Sequence, residues 1–194
     1  TATKSRNKNA RATKSLLRDH EVEFDEESGL VSLLGGKWTT YRLMAKDAVD
    51  FVCRQLQIQA NCKTERHPLF GSTGWSTDFW KKIAAAYRFD EDVSQHLAAK
   101  YGSNAGLVGE LVLRDAALGE RLVAPYPFIK AEVKYAAQHE MAMTIRDFMA
   151  RRIRLEFIDW EAAKIATPEV SKLVAETLGW SLAEQTKSAT SYSD

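Results

Sequence analysis

The sequence predicts a mainly α protein, with a helical bundle domain in its carboxy-terminal part preceded by one β-hairpin and a strand-turn-helix unit. Three observations carry the prediction. From about residue 77 onward apolar residues recur at helical spacing, with glycines placed where helices should stop. The stretch His20–Phe24 alternates polar and apolar residues, as a half-buried strand does. With 194 residues, 45% of them hydrophobic and 27% charged, the chain has the composition of a folded protein and the length of one large domain or two small ones.

The elements follow in order. His20-Glu-Val-Glu-Phe24 leads into Asp25-Glu-Glu-Ser-Gly29, whose turn chemistry includes a glycine for a positive φ, and then into the β-prone Leu30-Val-Ser-Leu-Leu34. This is a hairpin. Its second strand runs into Gly35-Gly36, after which Tyr41, Met44, Ala48, Val52 and Leu56 recur as one face of a helix. Residues 58–76 contain Pro68, Gly71 and Gly74 with few periodic apolar positions, so they are expected to link a unit at 1–57 to a helical domain at 77–194.

Within the helical domain the expected helices are Thr77 to Tyr87, Glu91 to Tyr101 ended by Gly102, and Ala105 to Leu118 ended by Gly119. Pro125-Tyr-Pro127 marks a break. Met141, Ile145, Phe148 and Met149 are expected on the buried face of a further helix. Pro168 suits the first turn of another, starting at Thr167 and ended by Gly179. The polar tail from Gln185 to Asp194 is expected to fray. Trp75, Trp80, Trp160 and Trp180 read as core or interface anchors, and His20, His67 and His96 have no partners at motif spacing.

Charge and composition exclude several classes. There are 27 basic and 26 acidic residues, for a formal net charge of +1, so no global field favours a polyanion. Six basic residues between Thr1 and Arg18 are offset by six acids between Asp19 and Glu27, and the basic run has no interleaved aromatics on which bases could stack. Nucleic acid is not an expected partner. No run nears the roughly 18 apolar residues that span a bilayer, and no signal-peptide pattern opens the chain, so a reducing, cytoplasmic setting is the expectation. Cys53 and Cys62 are too few for a disulfide scaffold or a four-ligand zinc site and read as reduced thiols. The chain begins at Thr1 without a methionine, which suggests a piece of a longer protein.

Gly35-Gly-Lys-Trp-Thr39 resembles a phosphate loop but fails on spacing, since Val31 and Trp38 stand where glycine and Ser or Thr are required. His139-Glu140 likewise lacks a zinc-protease partner, because position 143 is Met143. Arg146, Arg151, Arg152 and Arg154 are read chiefly as salt-bridge partners of Asp147 and Glu156. The glycine turn retains a simpler chemistry. A helix start offers free N–H groups and partial positive charge, Lys37 adds a full charge, and Thr39 or Thr40 can cap the helix or reach a ligand. The motif alone fits equally a turn that closes strand on helix with Lys37 in solvent.

At Gly35-Gly-Lys-Trp-Thr-Thr-Tyr-Arg42, preceded by Gly29-Leu-Val-Ser32 and followed by Met44, Ala45 and Asp47, the sequence resembles the carboxy-terminal part of the FAD-dependent glycerol-3-phosphate dehydrogenases. Glu132-Val-Lys-Tyr-Ala136, His139-Glu140, Asp147-Phe-Met-Ala-Arg-Arg-Ile-Arg-Leu155, Phe157, Ala162-Ala163, Pro168 and Leu178-Gly-Trp180 extend the resemblance, which runs from about Arg18 to about Gln185. It implies that residues 1–57 are the last hairpin and helix of an FAD and substrate domain, followed by that family's helical carboxy-terminal domain. The dinucleotide fingerprint Gly-x-Gly-x-x-Gly is absent, so the piece alone is expected neither to hold FAD tightly nor to turn over substrate.

The resemblance further implies hydride transfer from sn-glycerol 3-phosphate to FAD, giving dihydroxyacetone phosphate, with electrons passed to quinone or, in oxidase relatives, to oxygen. Gly35, Gly36, Lys37, Trp38, Thr39 and Thr40 fall where the family approaches the pyrimidine edge of the flavin. Lys37, and Arg18 on the hairpin, are the substrate-side candidates, and no catalytic residue is assigned. The helical domain matches no catalytic motif and is expected to stabilise the main domain or to serve contacts between subunits, with peripheral membrane association and homo-oligomer formation left open. No D-x-D-x-D-G run supports calcium control. The competing reading is a free-standing helical interaction module without catalytic activity.

Overall fold

The computed structural model describes residues 19–193. The chain divides into two compact units between His67 and Pro68. In the first, β1 (His20–Phe24) pairs antiparallel with β2 (Val31–Gly35), in the register His20 opposite Gly35 and Phe24 opposite Val31. Asp25 builds the turn: its carboxylate accepts the N–H of Glu27 at 2.9 Å and the hydroxyl of Ser28 at 2.9 Å, and Gly29 takes the positive φ of 73°.

A 3-10 turn at Trp38–Thr40 then opens α1 (Tyr41–Gln55), which packs against both strands. Phe24 and Phe51 meet with ring centroids 5.8 Å apart. None of the residues in α1 or its leading turn is fully buried, so this unit has contacts but no closed core. The segment after α1 folds back along it, with Arg42 donating to the Thr64 hydroxyl at 3.4 Å.

The second unit is helical among the described residues: α2 (Phe79–Tyr87), α3 (Glu91–Tyr101), α4 (Ala105–Arg114), α5 (Lys130–His139), α6 (Ile145–Arg151), α7 (Leu155–Ile158), α8 (Trp160–Leu178) and α9 (Leu182–Ser193). Leu97, Ile129, Val133, Phe148, Val170 and Val174 are fully buried at its centre, where α5 and α8 pack on each other. Gly102 stops α3 with a φ of 57°, and a side chain there would strike the carbonyl of Gly71. The segment ahead of α2 is thereby tied down, with Ser103 N–H donating to Gly71 O at 2.8 Å and the Trp75 indole N–H to Ala98 O at 3.0 Å.

The mainly helical class with one small antiparallel hairpin is as expected; several element boundaries are not. The helix expected from Thr77 starts at Phe79. The single helix expected over Ala105 to Leu118 breaks after Arg114, because the Asp115 carboxylate accepts the Ala117 N–H at 3.1 Å and caps a separate 3-10 turn at Ala116–Gly119. Pro168 does not begin a helix but lies inside α8, on its exposed side. The lost N–H costs about 3 kcal/mol, which the burial of Ala163, Ala166, Val170 and Val174 on the opposite face offsets.

Gly179 ends α8 with a φ of 71°, as expected. The tail expected to fray is helical as α9, and Tyr192 near its end is only 8% exposed, tilted against Trp160. Met141 stands outside any helix and is 80% exposed, whereas Ile145, Phe148 and Met149 of the same expected face are buried in α6. Trp75 and Trp160 are partly exposed and serve as edge contacts, not core anchors.

Candidate functional site

The bend between β2 and α1 is shaped by its two glycines. Gly35 and Gly36 adopt φ values of 73° and 84°, a region L-residues avoid. A Cβ at Gly35 would lie 2.8 Å from the carbonyl of Asp19, and one at Gly36 would lie 2.5 Å from the Met44 sulfur. The requirement for glycine therefore comes from this chain's own strand and helix closing on the bend. His20, paired with Gly35 across the hairpin, also bonds the Asp47 carboxylate at 2.9 Å and ties strand to helix behind the bend. Spacing arguments left His20 without a partner because Asp47 is 27 residues away.

Lys37 is extended, with φ −128° and ψ 151°, and its carbonyl accepts both the N–H and the hydroxyl of Thr40 at 3.0 Å. Thr40 is thus spent on closing the turn. The N–H groups of Trp38 and Thr39 have no backbone acceptor among the described residues, as expected at a helix start. Lys37, Trp38, Thr39 and Thr40 are all exposed, Trp38 by 88%, and the Trp38 ring stacks on Tyr41 at 5.9 Å. The bend thus combines two amides without a backbone acceptor, an exposed lysine and an exposed aromatic ring. Such a surface attracts negative charge: the helix start contributes about 0.3–1 kcal/mol when exposed, and a cation at 4 Å about 1 kcal/mol in water, rising to about 4 where water is displaced. Arg18 lies outside the described residues.

Elsewhere several charged side chains are held in ion pairs. Arg151 pairs with Asp147 at 2.7 Å and Arg146 with Glu156 at 2.9 Å, while Arg152 binds Glu140. His96, which spacing also left alone, meets Glu132 at 2.8 Å, and Lys100 and Tyr101 meet the same carboxylate at 3.2 and 2.8 Å. Cys53 and Cys62 are free thiols, and among the described residues no cluster of His, Cys, Asp and Glu could hold a metal ion.

This fold, a strand-turn-helix unit followed by a helical domain, belongs to a known class. Residues 62–185 match the family described as the C-terminal domain of alpha-glycerophosphate oxidase, and the chain belongs to that family. It is homologous to FAD-dependent glycerol-3-phosphate dehydrogenases over about nine tenths of its length. It is 38% identical over 192 residues to the mitochondrial glycerol-3-phosphate dehydrogenase SDP6 of Arabidopsis thaliana, covering 91% of this chain and 30% of that protein. It is 39% identical over 186 residues to a probable mitochondrial glycerol-3-phosphate dehydrogenase of Caenorhabditis elegans, covering 93% and 26%. The glycerol-3-phosphate dehydrogenase from Bacillus halodurans, solved in complex with FAD, superposes with a TM-score of 0.73 at 28% identity, over 89% of this chain and 36% of that one. The chain thus spans about a quarter to a third of the length of its relatives.

Proposed function

We propose that this chain works as the carboxy-terminal part of a flavoprotein that oxidises sn-glycerol 3-phosphate to dihydroxyacetone phosphate and passes the electrons to quinone. The observation that carries the reading is the bend at Gly35–Thr40, where Lys37 is exposed and the Trp38 and Thr39 amides have no backbone acceptor. The residues fit the pyrimidine edge of a flavin, since that edge is electron-rich and the bend offers donors and positive charge but no carboxylate. When bound, FAD would supply the acceptor for the hydride leaving C2 of the substrate.

This chain's own residues would then do four things. The amides of Trp38 and Thr39 would donate to the flavin edge and favour negative charge there. Lys37 adds a cation to the same side, or reaches the phosphate of the substrate. Thr40 keeps the turn closed through the Lys37 carbonyl, so the donors need little rearrangement as the charge develops. Gly35 and Gly36 position the whole by letting the hairpin meet α1.

The remaining contacts to FAD and substrate are expected from parts of the complete protein that this chain does not cover, since it spans 30% or less of the curated relatives given above. Among the described residues no helix is long and apolar enough to cross a membrane. The unpaired thiols of Cys53 and Cys62 suit a reducing compartment such as the cytoplasm. The helical unit, with its closed core and structural salt bridges, stabilises the flavin-binding part or joins subunits.

Anaerobic titration of the full-length protein with glycerol 3-phosphate should bleach the yellow flavin band. Lys37→Ala in that protein should lower kcat or raise KM for glycerol 3-phosphate about 10-fold or more, the effect of losing one charge-assisted contact of about 1.5–3 kcal/mol. Unchanged kcat and KM would remove Lys37 from the site.

A further inference from the structure

In the helical unit a cleft of about 680 Å3 opens between α6 and α9, which pack on each other. Its wall holds more donors than the unit itself uses. Arg146 and Arg151 reach Glu156 and Asp147 through one nitrogen each, at 2.9 and 2.7 Å, and are otherwise exposed. Lys187 has no ion pair, and the Ser188 and Ser191 hydroxyls have no hydrogen bond, among the described residues. Tyr192 is buried and lines the same cleft. Its hydroxyl lies near the Glu156 carboxylate without a hydrogen bond to it or to any other described group, and burial together with that charge keeps the proton on the oxygen. The two acids of the wall are already engaged. Asp147 takes Arg151 and the Met143 N–H, at 2.7 and 3.2 Å, and Glu184 takes the N–H and hydroxyl of Ser181 at 2.8 Å.

We propose that this cleft binds a phosphate monoester group through Arg146, Arg151, Lys187 and the Ser188, Ser191 and Tyr192 hydroxyls. The count of donors selects the ligand. A carboxylate brings one charge and two oxygens, whereas a phosphate monoester brings a charge of about −1.5 to −2 and three terminal oxygens, which suits three cations and several uncommitted hydroxyls. Trp180 also lines the cleft and adds apolar surface for the carbon skeleton of the ester. Because the donors come from both α6 and α9, a bound anion ties the carboxy-terminal helix to the bundle. Soluble phosphate esters and phospholipid headgroups share this chemistry.

Calorimetric titration of the 194-residue chain with inorganic phosphate tests this. The expected Kd is about 1 mM or tighter, weakening as sodium chloride is added. Lys187→Ala and Arg151→Gln should each weaken binding about 10-fold. Binding should persist in Lys37→Ala, which removes the other candidate phosphate contact. Saturating phosphate should slow hydrogen exchange of the peptide covering 182–193 in the wild type and not in Lys187→Ala, while unaltered exchange of the peptide covering 130–139 shows that the variants keep their core. Competition by glycerol 3-phosphate without retention on vesicles of phosphatidylcholine and phosphatidic acid marks a soluble ester as the ligand. Retention on those vesicles that Lys187→Ala abolishes marks a lipid headgroup, and either result supports the site. No phosphate binding, or an affinity that Lys187→Ala leaves unchanged, overturns the proposal. Loss of binding in Lys37→Ala overturns it as well, since the anion then sits at the glycine bend, and that outcome leaves the catalytic reading standing.

Discussion

Glu132 has no exposed surface and is nonetheless held as a carboxylate. Burial alone would push its pKa up, but the charge of Lys100, the hydrogen bond and charge of His96 and the Ile129 N–H outweigh that and bring it from 4.5 down to about 2. Its folded value lies below its unfolded one, so its contribution is complete above pH 4.5 and is lost as the pH falls toward 2. Glu132→Gln should therefore cost about 3 kcal/mol at neutral pH in urea unfolding, and the difference from wild type should shrink across that acid window. A constant difference at all pH values would show that the loss is one of packing. This network was not legible in the sequence: His96 and Lys100 stand one helical turn apart, but their common partner is more than 30 residues away. The glycines of the bend were legible as a turn, whereas the contacts that demand them, with Asp19 and Met44, were not.

Local chemistry set most of the elements. Alternation and turn residues at 20–34 specified the hairpin, and Gly102 and Gly179 stopped the helices they follow. Errors arose where a long-range contact outweighed a local preference. Pro168 reads locally as a helix start, yet α8 continues through it because one face is buried against α5. The Ser- and Thr-rich tail reads as loose, yet it folds as α9 because Tyr192 finds a buried place beside Trp160. Tyr192→Ala should accordingly destabilise the helical unit by about 2–3 kcal/mol, measured by chemical denaturation, and should raise hydrogen exchange throughout 182–193. Loss of less than about 0.5 kcal/mol would mean that the tail is dispensable.

For the molecule as a whole, the two units differ in kind: one closes a core around α5 and α8, and the other leaves every residue of its only described helix at least partly exposed. Lys63 and Arg66 lie in exposed, irregular chain just ahead of the division at Pro68. Brief trypsin treatment should cut there and leave a resistant helical product that unfolds cooperatively, and early cleavage inside α5 or α8 would contradict this. The sequence by itself determined the mainly helical class, the hairpin, the glycine bend with Lys37 and the family, because each is written in local spacing or in a contiguous motif. Only the tertiary structure decided which charges pair and where Pro168 and the tail belong. Those outcomes depend on residues distant in the chain competing for the same buried surface, a competition that no window of sequence contains.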